Sequence, residues 1–331
     1  MNLDPQKPKV SVIIPFYNSE TIFEKCIRSL FEQTLEDLEF IFVNDNSLDH
    51  SLGLIFNVLE SYPNRKSQVT IITHDRNLGS GRSRKDGMLA ATGDYVIHCD
   101  SDDWVDKEMY ETLYKIAKEE DADIVCSGFY REFSSTQIIE LYPSDYSIDK
   151  DMMKKGPYWR VLYSSMWSKL VKRSLYVDFE VYPFEGINMW EDLGVMTRLR
   201  FFSKKTIIVN KPFYHYNQSN ENSLASKSSL SKVKEQISCA EALEKFFLNR
   251  NELENYKIFI QSIKFSAKER LFSDYRIRNI KKWRTIFPET HNNVLKYIDL
   301  PINMRMIYIL VICGFSTLSC FIYDKKKYLR K

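Results

Sequence analysis

The chain has 331 residues, of which 44% are hydrophobic and 27% charged, the balance of a globular protein with a sizeable buried core. The formal net charge is only +3, and the tail from Asp324 to Lys331 carries five basic residues and one acid. The rest of the chain is therefore close to neutral, which argues against a body that binds nucleic acid.

The first part of the chain alternates between short apolar segments and segments with helical periodicity. The predicted elements, in chain order, are strand 9–18, helix 19–33, strand 38–46, helix 48–62, strand 68–75, helix 81–91, strand 94–103, helix 107–120 and strand 122–129. Because these strands are apolar throughout, they predict a mixed, mostly parallel sheet flanked by helices, which is a Rossmann-like α/β fold.

After these elements the pattern becomes looser. Segments 159–173, 186–194 and 205–217 look like a second half that completes a cleft. The Ser- and Asn-rich stretch 217–231 is a candidate mobile loop that closes over a ligand, and residues 232–287 predict helices.

Polar side chains stand at the ends of the predicted strands. Tyr17 and Asn18 follow the first strand, Asp45 follows the second, and Asp100 follows the fourth. In parallel sheets, ligands bind at the carboxyl ends of the strands. The sequence therefore predicts one ligand cleft at this edge.

The segment HCDSDDW places Asp100, Asp102 and Asp103 directly after an apolar strand. Three carboxylates this close repel one another unless a cation is present. Mg²⁺ and Mn²⁺ take oxygen ligands and often bind through one or two carboxylates together with substrate phosphates. The alternative is that Asp102 or Asp103 caps the helix that follows.

Seven sequence blocks follow one another along the chain, namely VSVIIPFYN, FVNDNSLD, NLGSGRSRKDGMLAATGDY, HCDSDDW, WSKLVKRSLY, WEDLGVMTRL and PFYHYN. In these blocks the chain resembles the inverting family-2 glycosyltransferases of the GT-A fold. Their order and spacing make the resemblance specific over about residues 9–224. It implies transfer of a sugar from a nucleotide diphosphate, with UDP preferred, in capsule, O-antigen or exopolysaccharide synthesis.

The resemblance implies a donor pocket around the second strand. Asp45 stands at the acid that contacts the nucleotide base, and Asn44 replaces an acid that is common in the family. Pro15, Tyr17 and Asn18 would line the same pocket. Strand termination and core packing are an equal alternative for Pro15 and Tyr17.

Arg84 stands at the arginine of a family block and would lie near the nucleotide, together with Asp100. Arg82 and Lys85 replace uncharged residues of that block, so this helix start is unusually basic. Cations near a helix N-terminus suit a diphosphate. A solvated helix face is the alternative.

The metal ion, Mn²⁺ or Mg²⁺, would be bound by Asp102 first, then by Asp100 and Asp103, with His215 as a weaker candidate. A lone histidine between two tyrosines is more often structural, so His215 carries two interpretations.

An inverting transfer needs a base for the acceptor hydroxyl. The resemblance places this base at Asp192, with Glu191 orienting or binding the acceptor. Capping of a helix by the acidic pair is the alternative.

Trp167, Lys169 and Trp190 are predicted on the acceptor side, where an indole ring could stack on a sugar. Burial in the core is the equal alternative for both tryptophans.

The expected organisation is a catalytic domain over 1–225, with a donor half to about residue 130, a helical extension over 226–300 and a tail over 301–331. Residues 306–323 carry no acidic or basic side chain and precede DKKKYLRK, which favours a segment lying on anionic lipid over a spanning helix. Docking of the tail on the protein itself, or a dimer contact, stays open.

The scattered cysteines and the polar N-terminus predict a cytoplasmic protein without a signal peptide, attached to the cytoplasmic face of the inner membrane. The acceptor would be a glycan or a lipid-linked glycan. Two other functions are considered: a non-catalytic scaffold or carbohydrate-binding protein of the same fold, and a nucleotidyltransferase. The segment PFYNSET lacks the glycine-rich phosphate loop that a nucleotidyltransferase would carry after its first strand.

Overall fold

The computed structural model describes residues 7–143, 153–154, 164–219, 229–274, 278–293 and 302–328. The chain divides into two compact units, residues 1–150 with 160–223, and residues 151–159 with 224–331. The first unit contains the sheet and all predicted site residues. Most of the stretch predicted as a mobile loop, residues 220–228, lies outside the described residues, as does 159–163 of the predicted second half.

The first unit is built on one sheet, of which the described residues form nine strands. These are β1 (Val10–Phe16), β2 (Leu38–Asn44), β3 (Val69–Thr73), β4 (Tyr95–His98), β5 (Trp104–Val105), β6 (Ile124–Glu132), β7 (Gln137–Glu140), β8 (Lys169–Lys172) and β9 (Thr206–Asn217). Their order is β3-β2-β1-β4-β8-β6-β9-β5, and β7 pairs with β6.

The sheet is mixed, and its parallel part comes from the first half of the chain. β3, β2, β1 and β4 are parallel neighbours, and β6 is parallel to β9. β8 runs antiparallel between β4 and β6, and β5 runs antiparallel to β9. The predicted α/β fold is confirmed.

Helices flank the sheet, and the first four of them lie where the periodicity predicts them. In the first unit they are α1 (Phe23–Phe31), α2 (Ser51–Leu59), α3 (Ser80–Ala90), α4 (Met109–Glu119), α5 (Arg173–Asp178) and α6 (Glu191–Phe202), with a 3₁₀ helix at Pro63–Gln68. Helix α1 buries the apolar face formed by Cys26, Ile27 and Leu30. Successive residues of β1 are buried, as expected for a strand covered on both faces.

The register of the strands brings their carboxyl ends together. Phe16 of β1 is paired with Asn44 of β2, and Ile13 of β1 with His98 of β4. The chain therefore leaves β1, β2 and β4 at the same edge of the sheet, where the predicted polar residues begin.

The second unit is helical in its described residues. Its helices are α7 (Leu230–Leu248), α8 (Lys257–Ser273), α9 (Ile280–Thr285), α10 (Ile302–Ile312) and α11 (Ser316–Tyr328), with a 3₁₀ helix at Pro288–Asn293. The Ser229 hydroxyl accepts a hydrogen bond from the Lys232 N–H and caps α7. A buried cluster forms around Trp283, with Phe265, Phe272 and Tyr308.

The uncharged run 306–323 is divided between two helices. The chain turns after α10 at Gly314, whose φ of +94° lies in the left-handed region that favours glycine, and then enters α11. Among the described residues, no helix combines the length and the apolar character needed to cross a membrane.

Candidate active site

The aspartate loop, residues Cys99–Asp103, leaves β4 at the carboxyl edge of the sheet. A hydrogen bond from the Asp103 N–H to the Asp100 carbonyl, at 3.1 Å, closes this loop into a turn. Asp100 and Asp102 are half-buried, whereas Asp103 is buried. The turn therefore keeps three carboxylates on one short segment.

Arg84 joins this loop to the acidic pair that begins α6. Its Nη2 donates to Asp100 Oδ1 at 2.6 Å, and its Nε donates to Glu191 Oε1 at 3.4 Å. Burial lowers the pKa of Arg84, but the charges of Asp100 and Glu191 outweigh burial and leave this pKa raised. The guanidinium is therefore a fixed cation between the two acidic segments.

One nitrogen of Arg84 is left over. Nη1 is buried and has no hydrogen-bond partner within the described part of the chain. A buried guanidinium nitrogen without an acceptor is costly, and an anion with exposed oxygens would satisfy it. This atom is a candidate donor to an anionic ligand.

Glu191 and Asp192 occupy the first turn of α6. The residue before them, Trp190, is half-buried and has a left-handed φ of +68°, an unusual conformation for a large side chain. The Leu193 N–H donates to Asp192 Oδ1 at 2.7 Å. The backbone thus fixes the direction of the Asp192 carboxylate.

Burial changes the acidity of this pair. Burial first, and then the charge of Asp192, raise the pKa of Glu191 to about 7. Burial also raises the pKa of Asp192. A carboxylate whose pKa is raised toward neutrality is a stronger base than an ordinary one, and such shifts cluster at functional sites.

Asp103, predicted as a metal ligand, has both oxygens engaged within the protein. Its Oδ2 accepts from the Tyr214 hydroxyl at 2.6 Å, and its Oδ1 accepts from the Asn217 N–H at 2.8 Å. Burial, then the charges of Asp102 and Asp100, raise the pKa of Asp103 well above its usual value. In this arrangement Asp103 anchors the loop to β9.

His215 likewise has no ring nitrogen available to a metal ion. Nδ1 lies 2.6 Å from Glu132 Oε1, and Nε2 lies 3.1 Å from Asp106 Oδ1. The ring is also stacked between Trp104 and Tyr130. These contacts give His215 a structural role, the alternative stated for it above.

The predicted base-binding residues lie at the ends of β1 and β2. Asp45 is buried and accepts hydrogen bonds from the Leu78 and Gly79 N–H groups at 2.7 and 2.8 Å, so it holds the loop before α3. Its Oδ1 also lies 2.8 Å from His74 Nδ1. Contact with a nucleotide base would have to share this carboxylate with the loop.

Around Asp45, the residues predicted from the first strand differ in exposure. Pro15 lies inside β1 and is half-buried, which fits the packing alternative. Tyr17 is exposed, and Asn18 accepts from the Leu48 N–H with its side chain, which ties the β1 end to the β2 end. Tyr17 is therefore the most accessible of the three.

The N-terminus of α3 is occupied by a side chain from the other half of the unit. Asn188 Oδ1 accepts from the Gly81 N–H at 3.0 Å. Arg82 pairs with Asp86 at 2.7 Å, and Lys85 lies 3.6 Å from Glu185. Arg82 and Lys85 thus have acidic partners in this structure, and binding of a diphosphate at this helix start stays a prediction. Arg84 turns toward the aspartate loop instead.

Two of the residues predicted on the acceptor side are buried. Lys169 donates from Nζ to the Ser165 carbonyl at 2.6 Å and to the Ser165 and Ser168 hydroxyls at 3.1 Å, and burial lowers its pKa to about 7. Trp167 is stacked on Tyr214 with ring centroids 4.3 Å apart. Trp167 is therefore a core residue, which is the alternative to stacking on a sugar. Trp190 is the more exposed of the two tryptophans.

Sequence reasoning missed Tyr214 and Asn188. Tyr214 lies in the PFYHYN block, where the neighbouring His215 has the side chain more typical of a metal ligand. Asn188 stands three residues before Glu191, and nothing in its local sequence indicates that it reaches a helix more than a hundred residues earlier in the chain.

The arrangement combines a fixed cation with an unsatisfied nitrogen, two half-buried carboxylates in the aspartate loop, and a pair of carboxyls with raised pKa values. Such a site can bind a phosphate-bearing ligand and remove a proton from a second one.

Comparison with known proteins identifies the family. The sequence profile of glycosyl transferase family 2 matches residues 11–178. The cholesterol galactosyltransferase of Borreliella burgdorferi is 31% identical over 280 residues, which cover 80% of this chain and 76% of that protein.

Two solved structures share the fold. S. aureus TarS 1–349 in complex with UDP-GlcNAc superposes with a TM-score of 0.69 at 17% identity, over 97% of this chain and 92% of that one. The mannosyltransferase PcManGT of Pyrobaculum calidifontis, in complex with GDP-Man and Mn²⁺, gives a TM-score of 0.51 at 15% identity, over 99% and 89%. With the profile matched over half of its length and a relative this similar over four-fifths of it, the chain belongs to glycosyl transferase family 2.

Proposed function

We propose that this glycosyltransferase moves a hexosyl or N-acetylhexosaminyl group from a UDP-sugar to a hydroxyl of a saccharide or lipid-linked glycan, with inversion at the transferred carbon. The observation that carries the proposal is Arg84, buried between Asp100 and Glu191 with Nη1 left without an acceptor. A donor diphosphate supplies the missing oxygens. TarS, which shares the fold, was crystallised with UDP-GlcNAc, and this supports UDP as the nucleotide.

The acids of the aspartate loop fit a divalent cation that is shared with the donor. Among the described residues, no group of three or more His, Cys, Asp or Glu side chains could hold a metal ion by itself. Mn²⁺ and Mg²⁺ commonly bind through one or two carboxylates and complete their shell with phosphate oxygens. We therefore assign Asp102 and Asp100 as the ligands. The ion would neutralise charge that develops on the departing diphosphate.

The base is Asp192. Its carboxylate takes the proton of the acceptor hydroxyl while the hydroxyl oxygen attacks the anomeric carbon from the face opposite the nucleotide. The bond between that carbon and the phosphate oxygen breaks, and UDP leaves with the electron pair. Glu191, held by Arg84, keeps the first turn of α6 in place beside the donor.

The proposed acceptor lies at the cytoplasmic face of the inner membrane, and α10 and α11 form the attachment. Large apolar side chains of these helices and of the turn between them face solvent, namely Ile302, Met306, Phe315, Leu318 and Phe321. Helix α11 continues into three consecutive lysines, 325–327. Exposed apolar residues beside a basic cluster are typical of a segment that lies on anionic lipid. The domain boundaries 1–225, 226–300 and 301–331 belong to the same proposal.

The test is nucleotide release from a panel of UDP-sugars with Mn²⁺ or Mg²⁺, with and without EDTA. We expect one donor to be turned over by the wild type, and turnover to disappear in EDTA, in Asp102→Ala and in Asp192→Asn. GDP- and dTDP-sugars with lipid-linked acceptors form the second panel. A folded wild type that is silent on both panels would favour the non-catalytic scaffold.

A further inference from the structure

The hydroxyl of Tyr214 lies under the aspartate loop and makes two hydrogen bonds to it. The Asp100 N–H donates to Tyr214 Oη at 3.1 Å, and Tyr214 Oη donates to Asp103 Oδ2 at 2.6 Å. One hydroxyl thus contacts both the first and the last aspartate of the loop. Asp102, the metal ligand proposed above, lies between them in the chain.

The ring of Tyr214 has no freedom to carry this hydroxyl elsewhere. It is fully buried and stacks on Trp167 with an interplanar angle of 15°. Its backbone is paired with Val105, which lies two residues after Asp103. The loop and the strand that carries Tyr214 are therefore joined at the backbone as well as through the hydroxyl.

Asp103 completes the connection on its other oxygen. Oδ1 accepts from the Asn217 N–H at 2.8 Å, so the carboxylate is held at two points of β9. A buried carboxylate without such donors would be costly, and it would turn toward any other donor or cation in reach. The Tyr214 hydroxyl supplies one of the two donors that keep Asp103 turned toward β9.

We propose that Tyr214 is a positioning residue that holds the aspartate loop in the conformation that receives the metal ion and the donor diphosphate. It acts through the Asp100 backbone and the Asp103 carboxylate and touches neither ligand itself. This inference rests on the proposed function, because the metal and the UDP-sugar belong to it. It reassigns Asp103 from metal ligand to loop anchor.

The chain offers a matched pair of tyrosines for the test. Tyr214 and Tyr110 are both fully buried, but the Tyr110 hydroxyl has no hydrogen-bond partner within the described residues. Tyr214→Phe and Tyr110→Phe therefore remove the same atom from similar surroundings. Binding of Mn²⁺ in the presence of UDP is measured from the signal of free Mn²⁺ in electron paramagnetic resonance, with circular dichroism to verify folding.

Tyr214→Phe is expected to weaken Mn²⁺ binding with UDP by about tenfold or more, since the hydroxyl that holds both Asp100 and Asp103 is lost and their buried groups keep no replacement partner, while Tyr110→Phe stays within about twofold of the wild type. If Tyr214→Phe does not fold, Asp103→Asn replaces it, because it exchanges one carboxyl oxygen for an amide nitrogen and keeps the shape. The double variant is expected to be no weaker than the poorer single variant, since both changes break one connection.

Three results would overturn the inference. One is a folded Tyr214→Phe protein that binds Mn²⁺ with UDP as the wild type does. Another is an equal loss in the Tyr110→Phe control, and the third is full additivity in the double variant. Absence of binding in the wild type would instead overturn the proposed function, and this inference with it.

Discussion

Arg84 is the residue at which the donor-binding and base-bearing parts of the proposed site meet. A guanidinium presents several N–H groups in a rigid plane, so one side chain reaches Asp100 and Glu191 and still has Nη1 to offer. A lysine ammonium has the same charge at a single point. The fork of donors, and not the charge alone, is therefore what this position requires.

Arg84→Lys is expected to lower kcat/KM by about 10- to 100-fold, because a hydrogen bond to a charged group contributes about 1.5–3 kcal/mol. Steady-state kinetics with the preferred UDP-sugar measure the change. Arg28→Lys is the control, since Arg28 pairs with Glu24 on the exposed face of α1. Equal activity of both variants would show that charge alone suffices at Arg84.

The raised pKa values of Glu191 and Asp192 predict a pH dependence. The base must be ionised to accept a proton, so kcat/KM is expected to rise with pH and to continue rising between pH 5 and about 7, the value to which the pKa of Glu191 is raised. The two carboxyls titrate as a pair, so the profile reports the pair. A plateau already reached at pH 5 would contradict the account.

The contribution of Glu191 to the free energy of unfolding is expected to fall as the pH rises, whereas kcat/KM rises. The pKa of Glu191 is raised to about 7 in the folded protein, so the unfolded chain releases this proton at lower pH. The contribution of Glu191 to the free energy of unfolding is therefore present at low pH and is lost as the pH rises toward 7.

At the scale of single residues, the sequence predicts which side chains belong to the candidate site but not which side chains they contact. The aspartates and the acidic pair were found because they stand in recognisable blocks. The contact of Arg84 with Glu191 joins residues 107 positions apart, and no local pattern encodes it. Lys169 shows the converse, because a lysine was expected to face a ligand and is instead buried with three oxygens as acceptors.

Among the elements, the start of α3 and the segment before α6 are packed closely enough to depend on a glycine. A Cβ on Gly81 would lie 2.5 Å from the Ile187 carbonyl oxygen, whereas a Cβ on Gly53 in α2 would meet nothing within 4 Å. Asn188, which follows Ile187, leads directly to the acidic pair. Gly81 therefore sets how close the base-bearing segment lies to α3.

Gly81→Ala is expected to lower the free energy of unfolding by about 1–3 kcal/mol, as overpacking does, and to lower kcat/KM because residues 187–192 must shift. Gly53→Ala is the control, and we expect it to keep activity and to gain up to about 1 kcal/mol from helix propensity. Thermal unfolding and kinetics of the two variants give the comparison. Unchanged activity of Gly81→Ala would show that the close contact between Gly81 and Ile187 does not affect the proposed active site.

The α10–α11 hairpin, which comprises α10, the turn at Gly314 and α11 (residues 302–328), gives a second prediction at the scale of elements. Phe315 and Phe321 are each 59% exposed, and replacing both by Ser is expected to reduce binding to vesicles of phosphatidylglycerol and phosphatidylcholine by at least about tenfold. Co-sedimentation measures the bound fraction, and salt should weaken it.

Ile258→Ser is the control for this experiment, because Ile258 is 56% exposed on α8, outside the hairpin. Equal loss in the control, or equal binding to vesicles of phosphatidylcholine alone, would contradict an anionic lipid surface. If the wild type is a dimer and the variant with Ser at Phe315 and Phe321 is a monomer, this face binds a second copy of the chain instead of lipid.

The alternating elements of the first part were predicted better than the elements after them. The five strands and four helices of the first part follow from their own composition, although the predicted strand 94–103 ends at His98 and the chain continues as the aspartate loop. β5 has two residues and carries no pattern, and β8 lies in the looser second half, so pairing with distant partners defines both strands. The uncharged run in the tail predicted one segment, and the turn at Gly314 makes it two helices.

For the whole molecule, sequence and structure identify the family and the reaction class, because these depend on a few charged side chains held at one edge of a sheet. The sugar and the acceptor depend on the shape of a pocket that many residues form together, so no motif reports them. The TarS and PcManGT structures show the same fold with different nucleotide-sugars, UDP-GlcNAc and GDP-Man.

The most direct test of the account is the configuration of the transferred carbon in the product. Proton NMR of the reaction with the donor found in the panel compares the anomeric coupling in the product with that in the UDP-sugar. Direct displacement assisted by Asp192 predicts inversion, and Asp192→Asn should give no product above background. Retention of configuration, or the same product from Asp192→Asn at the wild-type rate, would contradict the account.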